Sequence, residues 1–146
     1  MPIPDPVPGL VLRYAYLWQS EHAAGRDEGT KDRPAAIVAA IANDIDGKKR
    51  VLVLPITHAQ PSDPRMAIEI PPLVKRRLGL DNAPSWIVMT EANEFVWPGP
   101  DLRSVPDQQS GSFAYGFLPP GLFARVRTEF IAAVQDRRMK RVPRTE

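Results

Sequence analysis

The stretch Lys31–Ala39 (KDRPAAIVA) decides the fold, because it places an arginine directly before a run of apolar and β-branched residues. Such a run, bounded by polar residues, is typical of a buried β-strand. A second apolar run, Val51–Ile56 (VLVLPI), ends in Thr57 and His58. Each predicted strand therefore delivers polar side chains at one of its ends, where a rigid scaffold usually carries its function. A guanidinium that faces a hydroxyl and an imidazole is well suited to bind a phosphate.

The composition is that of an ordinary globular domain. The 146 residues are 43% hydrophobic and 25% charged, enough for one domain with a real core. The absence of cysteine excludes disulfides, thiolate nucleophiles and cysteine-based zinc sites, and two histidines argue against a histidine-rich metal site. The N-terminus lacks the basic start and apolar run of a signal peptide, and no apolar run has the length of a membrane span. We therefore expect a cytoplasmic protein with no membrane partner, no metal and no cofactor.

Basic residues are concentrated near the C-terminus. The net charge of +2 is too small to argue for a nucleic-acid partner, but residues 125–146 contain seven arginines and lysines against three acidic residues. This segment is either a surface that binds phosphates or a solvated helix face followed by a basic tail over 136–146.

The order of the apolar runs predicts short strands first and one amphipathic helix last. Prolines and glycines fall mostly between the runs, where a missing amide donor does little harm. The predicted elements are strands over 10–18, 35–42, 50–57, 66–70 and 85–90, a long loop over 19–32, a hairpin turn over 43–49, a short helix over 71–79 and a C-terminal helix with Leu122, Val126, Phe130 and Val134 on one face. This order indicates a mainly β fold with some helix, a small barrel capped by a helix, in a single domain over 1–146.

Four residues are candidates for catalysis. Arg33 is either a phosphate ligand or a surface arginine that happens to precede a proline, and Thr57 is either a phosphate ligand or a strand-end hydroxyl bonded to the backbone. His58 is either a general acid or base near neutral pH or a structural imidazole. Glu91, just past the fifth predicted strand, is either a base or an exposed carboxylate. The three tryptophans are interpreted as core residues: Trp18, Trp86 and Trp97.

Three short motifs come in an order that resembles the PemK/MazF-like toxins of bacterial toxin–antitoxin modules. They are Gly9 with Val11, the segment Gly29–Pro34, and Pro55–Thr57. In that family a glycine opens the first strand, an arginine–proline pair begins the second, and a proline–hydrophobic–threonine or –serine ends the third. The stretch Ser85–Glu91 and the C-terminal helix also fall where the family has them.

This resemblance covers most of residues 9–135 and implies both a fold and an activity. The fold would be an SH3-like barrel that forms a homodimer and binds an antitoxin protein. The activity would be metal-independent cleavage of single-stranded RNA, in which a ribose 2′-hydroxyl attacks the adjacent phosphate. Arg33 would stabilise the charge that develops on the phosphorus centre, and Thr57 would donate a hydrogen bond to a phosphate oxygen.

Other site residues follow from the same resemblance. Many family members carry an acidic residue at the end of the fifth strand, one residue before Glu91 in this chain, and an arginine three residues further on, where this chain has Asn93. Some members use a histidine in the loop before the arginine–proline pair, which corresponds to His22, and His58 is an alternative imidazole. We expect His22, Lys31 and Asn93 to contact RNA.

Two other functions stay open. The missing arginine at Asn93 favours a catalytically weakened barrel that binds nucleic acid or protein. A barrel that inhibits DNA gyrase, a role of structurally similar toxins, is the third hypothesis.

Overall fold

The computed structural model describes residues 3–26, 29, 31–42, 47–106 and 112–144. Within these ranges the chain forms eight β-strands and three α-helices. The strands are β1 (Leu10–Tyr14), β2 (Arg33–Ala42), β3 (Lys49–Thr57), β4 (Ala67–Glu69), β5 (Trp86–Val88), β6 (Glu91–Val96), β7 (Ala114–Phe117) and β8 (Lys140–Pro143). The helices are α1 (Gln19–Ala23), α2 (Pro72–Leu78) and α3 (Pro120–Gln135). The expectation of a mainly β fold with a few helices is therefore confirmed.

The strands form one mainly antiparallel sheet. Its order is β4-β5-β3-β2-β1-β7, and β6 pairs with both β3 and β8. Opposite the edge that carries β2, strand β3 has two successive partners, β6 along Arg50–Val53 and β5 along Ile56–Thr57. Pro55 lies between these two pairings, on the edge of β3 that faces β5 and β6. No described strand pairs with residue 55 on that edge, so the amide hydrogen that proline lacks is not required there. A proline is therefore tolerated inside a central strand.

The central strands are buried on both faces, which explains why their sequences are almost continuously apolar. Ala36 and Leu54 belong to one hydrophobic cluster, and α3 covers it with Val126 and Phe130. The neighbouring positions of the same strands belong to a second cluster, which contains aromatic side chains: Tyr14, Tyr16 and Phe95. The sheet thus carries a core on each face.

The two predicted helices are present, but their ends and the buried face of α3 differ from the prediction. Helix α2 has proline in its first turn and ends at Gly79, whose φ of 73° is left-handed and therefore suits glycine. Helix α3 buries Val126, Phe130 and Ala133, whereas Val134 is exposed. The expected burial of Val134 was wrong because a spacing of four residues overshoots the helical turn of about 3.6 residues.

Several element boundaries differ from the sequence-based expectation. The first strand ends at Tyr14, and the predicted long loop over 19–32 begins with α1. Strands β6 and β7 had not been predicted as strands. The predicted hairpin turn over 43–49 falls largely outside the described residues.

The predicted basic tail over 136–146 instead contributes a strand to the sheet, β8 over Lys140–Pro143. Strand β8 pairs in parallel with β6, and Arg144 is buried. A local charge count cannot foresee this, because the partner strand lies far away in sequence. Among the described residues, no helix is long and apolar enough to cross a lipid bilayer.

Candidate functional site

An open cleft of about 640 Å³ lies at the ends of β2 and β3 and the start of β6. Arg33, Thr57 and Glu91 line it, one from each of these strands. Lys31 and His58 line it as well. Five of the seven residues that the sequence singled out are thus brought together. The remaining lining residues are Trp18, Ala59, Gln60, Pro61, Ser62, Met66, Ala67, Val88 and Thr90.

The pairing of β2 with β3 places Arg33 and Thr57 on one face of the sheet. Ala35 lies opposite Pro55 in this antiparallel pair. Arg33 precedes Ala35 by two residues and Thr57 follows Pro55 by two, so both side chains project to the face of that pair. The arginine–proline and proline–hydrophobic–threonine motifs therefore meet at one end of the sheet.

The Arg33 guanidinium lies against the indole ring of Trp18. Its central carbon is 4.9 Å from the ring centroid, which is the geometry of a cation–π contact. Partial burial lowers the pKa of Arg33, and Glu21, Tyr16 and Glu91 oppose this effect. The buried Nε has no hydrogen-bond partner in the described part of the chain. The guanidinium is thus held in place by stacking while part of its hydrogen-bonding capacity is unused.

Glu91 is a half-buried carboxylate with one occupied oxygen. Its Oε1 accepts hydrogen bonds from the Tyr16 hydroxyl at 3.1 Å and from the Gln19 amide at 3.0 Å. Burial raises the pKa of Glu91, although these two hydrogen bonds and the charge of Arg33 lower it in part. Oε2 has no partner among the described residues and remains available to a ligand in the cleft. This carboxylate combines a fixed orientation with an increased affinity for a proton, as a general base requires.

Thr57 and Lys31 supply further hydrogen-bond donors. The Thr57 hydroxyl oxygen accepts a hydrogen bond from the Ala59 amide at 3.1 Å, which leaves its hydrogen free to be donated. Lys31 is exposed and forms no ion pair with any described residue. The strand-end hydroxyl therefore bonds to the backbone, as one of the two alternatives for Thr57 expected, without losing its capacity to donate to a phosphate.

His58 is held from both ring nitrogens. Its Nε2 lies 2.8 Å from Oδ2 of Asp81, and its Nδ1 lies 2.9 Å from the carbonyl oxygen of Pro84. Each ring nitrogen thus lies within hydrogen-bond distance of a protein oxygen. His58 lines the cleft, but both of its ring nitrogens are engaged by groups of the fold. Its position as a catalytic base is therefore not supported by these contacts, and the structural alternative accounts for them.

The same contacts argue against a serine hydrolase. Ser85 Oγ lies 3.3 Å from Nδ1 of His58, and Asp81 completes an apparent Ser–His–Asp chain. In such a triad the histidine must accept the serine proton. The Nδ1 of His58 lies closer to the carbonyl oxygen of Pro84, at 2.9 Å, than to the hydroxyl of Ser85, which is nearly fully buried. This arrangement is a structural network.

Asp81 joins this network to a buried lysine. The Lys75 ammonium donates to Oδ1 of Asp81 at 2.7 Å and to the carbonyl oxygen of Ala83. Desolvation acts to raise the pKa of Asp81, but the hydrogen bond from Lys75 and the charge of His58 outweigh it and lower the pKa. Lys75 is therefore a buried charge that is both paired and hydrogen-bonded.

The lowered pKa of Asp81 predicts a pH-dependent contribution to stability. The carboxylate stabilises the fold above the unfolded pKa of about 3.9, and this contribution is lost as the pH falls through the lower folded pKa. Denaturation midpoints of the wild type and Asp81→Asn should therefore differ at neutral pH and converge at acid pH. A constant difference across the pH series would contradict the assignment, and Asp136→Asn, an exposed aspartate at the end of α3, is the control.

Two predicted RNA ligands do not line the cleft. His22 lies on α1, where its side chain is exposed, its backbone amide donates to Trp18 and its carbonyl oxygen accepts from Gly25. Asn93 is fully buried, and its amide exchanges hydrogen bonds with the backbone of Leu17, at 2.9 Å from N–H to Oδ1 and 2.7 Å from Nδ2 to the carbonyl. We correct the expectation for Asn93 to a structural role, because a buried side chain with these partners is inaccessible to a ligand.

Comparisons with models of protein families, with curated proteins and with solved structures found no match. The likeness to PemK/MazF-like toxins therefore rests on the sequence motifs alone and stays a prediction. Within the described ranges, no group of three or more His, Cys, Asp or Glu side chains is arranged to hold a metal ion. The expected metal independence is left to experiment.

Proposed function

We propose that this chain is an endoribonuclease of the PemK/MazF-like toxin type, which cuts single-stranded RNA. The observation that carries the proposal is the Arg33 guanidinium, which is stacked on Trp18 and has an unpartnered buried Nε. A fixed cation with unused donors at the floor of an open cleft favours an anionic ligand, and a phosphodiester fits its planar donor geometry. Thr57 and Lys31 add donors around the same position.

The chemical step needs a base, a stabiliser of charge and a leaving group. Oε2 of Glu91 takes the proton of the ribose 2′-hydroxyl as the 2′-oxygen forms its bond to phosphorus. The bond from phosphorus to the 5′-oxygen then breaks, and the 5′-oxygen takes a proton from water in the open cleft. Arg33 and Thr57 stabilise the additional negative charge on the phosphate oxygens meanwhile. The products are a cyclic phosphate and a free 5′-hydroxyl.

The finer fold assignment and the partners belong to the same proposal. An SH3-like barrel is supported by the double pairing of one β3 edge with β6 and β5 and by the packing of α3 on the cluster at one face of the sheet. A homodimer and an antitoxin protein belong to the proposal because the family likeness implies them, and a cytoplasmic location is proposed with them. The mass of the purified protein in solution tests the homodimer, and growth arrest on expression tests the toxin activity.

The first test is incubation of the purified protein with long single-stranded RNA in EDTA. We expect cleavage fragments whose 5′-hydroxyl ends accept labelled phosphate directly from polynucleotide kinase. Arg33→Ala should lower the cleavage rate by roughly 10²- to 10³-fold, because it removes a preorganised donor. Arg77→Ala, which removes an exposed arginine on α2 outside the cleft, should leave the rate unchanged. Equal rates for the wild type and Arg33→Ala would refute the site.

A specific observation favours a second candidate, a non-catalytic RNA-binding module. Asn93 is buried where the family has an arginine, and both ring nitrogens of His58 are engaged, so neither position supplies the proton for the leaving group. Wild-type protein that binds RNA through Arg33 but leaves it intact would establish this alternative.

A further inference from the structure

A second pocket lies on the far side of His58 from the cleft. It encloses about 360 Å³ and is formed by β3, the loop after α2 and β7. Its walls expose polar and apolar surface in similar amounts, and its polar side chains are those of His58, Asp81, Ser85 and Tyr115. The apolar lining comes from Pro34, Ile56, Leu80, Val105, Pro106 and the ring of Tyr115. A pocket of this size with a few placed polar groups falls in the range that holds small ligands.

This pocket is continuous with the cleft. A groove of about 240 Å³ contains Lys31 and Arg33 from the cleft side and Pro34, His58 and Asp81 from the pocket side. A phosphate held by Arg33 would therefore lie at the mouth of the pocket. A chemical group bonded to that phosphate would therefore lie next to the opening of the pocket.

The chemistry of the pocket suits an aromatic ring that carries a hydrogen-bond donor. The Tyr115 side chain is half-buried and presents the one aromatic wall of the pocket among the described residues apart from the His58 imidazole. Its hydroxyl has no hydrogen-bond partner in the described part of the chain, and burial raises its pKa. Asp81 accepts three hydrogen bonds, from Lys75, His58 and the Ala83 amide, which leaves a carboxylate with capacity for one more.

We infer that this pocket binds a nucleobase adjacent to the phosphate held by Arg33, with the base stacked on Tyr115 and a base amino group facing Asp81. The inference rests on the proposed function, because it takes single-stranded RNA as the ligand. Aromatic side chains recognise unstacked bases of single-stranded RNA in this way, and a carboxylate accepts from the exocyclic amines of cytosine and adenine. The pocket would then select the nucleotide next to the cleavage position.

The test is a binding titration with short homopolymers of cytidine, adenosine and uridine that carry 2′-O-methyl groups. These RNAs cannot undergo attack by the 2′-oxygen, so binding is measured without cleavage. Tyr115→Ala should weaken binding by roughly tenfold or more, as loss of one stacked base does, whereas Tyr115→Phe should retain the wild-type affinity. Arg33→Ala should reduce the slope of log affinity against log salt by about 1, and Tyr115→Ala should leave the slope unchanged because it removes no charge.

A change in the RNA tests the same contact with the wild-type protein, so the result does not depend on whether Tyr115→Ala folds. One abasic position is moved along the RNA, and wild-type affinity should fall at a single register. At that register, Tyr115→Ala should cause no further loss, because protein and RNA changes remove the same contact.

The outcomes separate the base pocket from the proposed function. Binding that depends on Arg33 but not on Tyr115, with no sensitive abasic register, would overturn the base pocket and leave the ribonuclease proposal standing. Failure of the wild-type protein to bind any of these RNAs would overturn both.

Discussion

Replacing Glu91 with glutamine is expected to slow RNA cleavage by about 10²- to 10⁴-fold, the usual contribution of a positioned general base. Glutamine keeps the shape of the side chain, and its carbonyl oxygen can accept the same two hydrogen bonds from Tyr16 and Gln19. It cannot take the proton of a ribose 2′-hydroxyl. The measurement is the single-turnover rate on a defined RNA, so that binding and chemistry are separated.

The pH dependence provides an independent check on the same residue. Because burial raises the pKa of Glu91, the wild-type rate should increase with pH through a value above that of an ordinary glutamate, about 4.3. Glu91→Gln should lose this limb of the profile. An unchanged profile in the variant would mean that another group acts as the base.

Glu91→Gln is expected to slow cleavage without lowering the free energy of unfolding. A carboxyl group whose pKa is raised by folding binds its proton more tightly in the folded state, so stability falls as the pH rises from the unfolded to the folded pKa. Glu91→Gln carries no charge and should be at least as stable as the wild type at neutral pH. Glu94→Gln, on the same strand but paired with Arg50 and Arg141, is the matched control and should leave cleavage unchanged. A large loss of stability in Glu91→Gln would undermine the kinetic interpretation.

Elements with a strong local sequence pattern were predicted correctly. Residues 35–42 and 50–57 were correctly predicted as strands, because apolar and β-branched residues recur without a polar interruption and both faces are buried. The short helix over 71–79 was predicted almost to its boundaries, because proline and glycine mark its ends. These signals are local and need no knowledge of the partner strand.

Elements with partners far away in sequence were missed. Strand β6 (EANEFV) has no regular alternation of polar and apolar residues, and it buries the polar Asn93, whose side chain bonds to the backbone of Leu17. Strand β8 is strongly basic, and its pairing with β6 and the partners of the following residue, Arg144, lie on other elements. No local pattern contains this information.

The candidate site was predicted only in part, because local sequence signals identify strand ends but not contacts between distant segments. Arg33, Thr57 and Glu91 each stand at a strand end, and the sheet register then brings them into one cleft. The partner of the arginine, Trp18, was interpreted as a core residue, because its position beside Arg33 depends on how the segment after β1 folds back. That segment is held by contacts with β6 and the C-terminus.

Arg144 is central to these contacts, and its loss should destabilise the fold by roughly 3–5 kcal/mol. Its guanidinium donates to the Ala15 carbonyl at 2.7 Å and to Oδ1 of Asn93 at 3.0 Å, and it pairs with Asp101 at 3.0 Å. The side chain is only 2% exposed, so its removal deprives the buried carbonyl of Ala15 of this donor and leaves the partly buried Asp101 paired with Arg103 at 4.0 Å. Arg144→Ala should therefore shift the midpoint of denaturant unfolding strongly with little change in slope.

The control is a nearby arginine on strand β8, which Arg144 directly follows. Arg141 is 60% exposed and pairs with Glu94 at 3.4 Å, so Arg141→Ala should cost no more than about 1 kcal/mol. Because Arg144 bonds to the segment that leads into Trp18, Arg144→Ala should also weaken RNA binding under conditions where the protein remains folded. Equal stabilities of the two variants would mean that the C-terminal residues are a dispensable tail. A loss of stability in Arg144→Ala but not in Arg141→Ala would establish that Arg144 fixes the segment that places Trp18 beside Arg33.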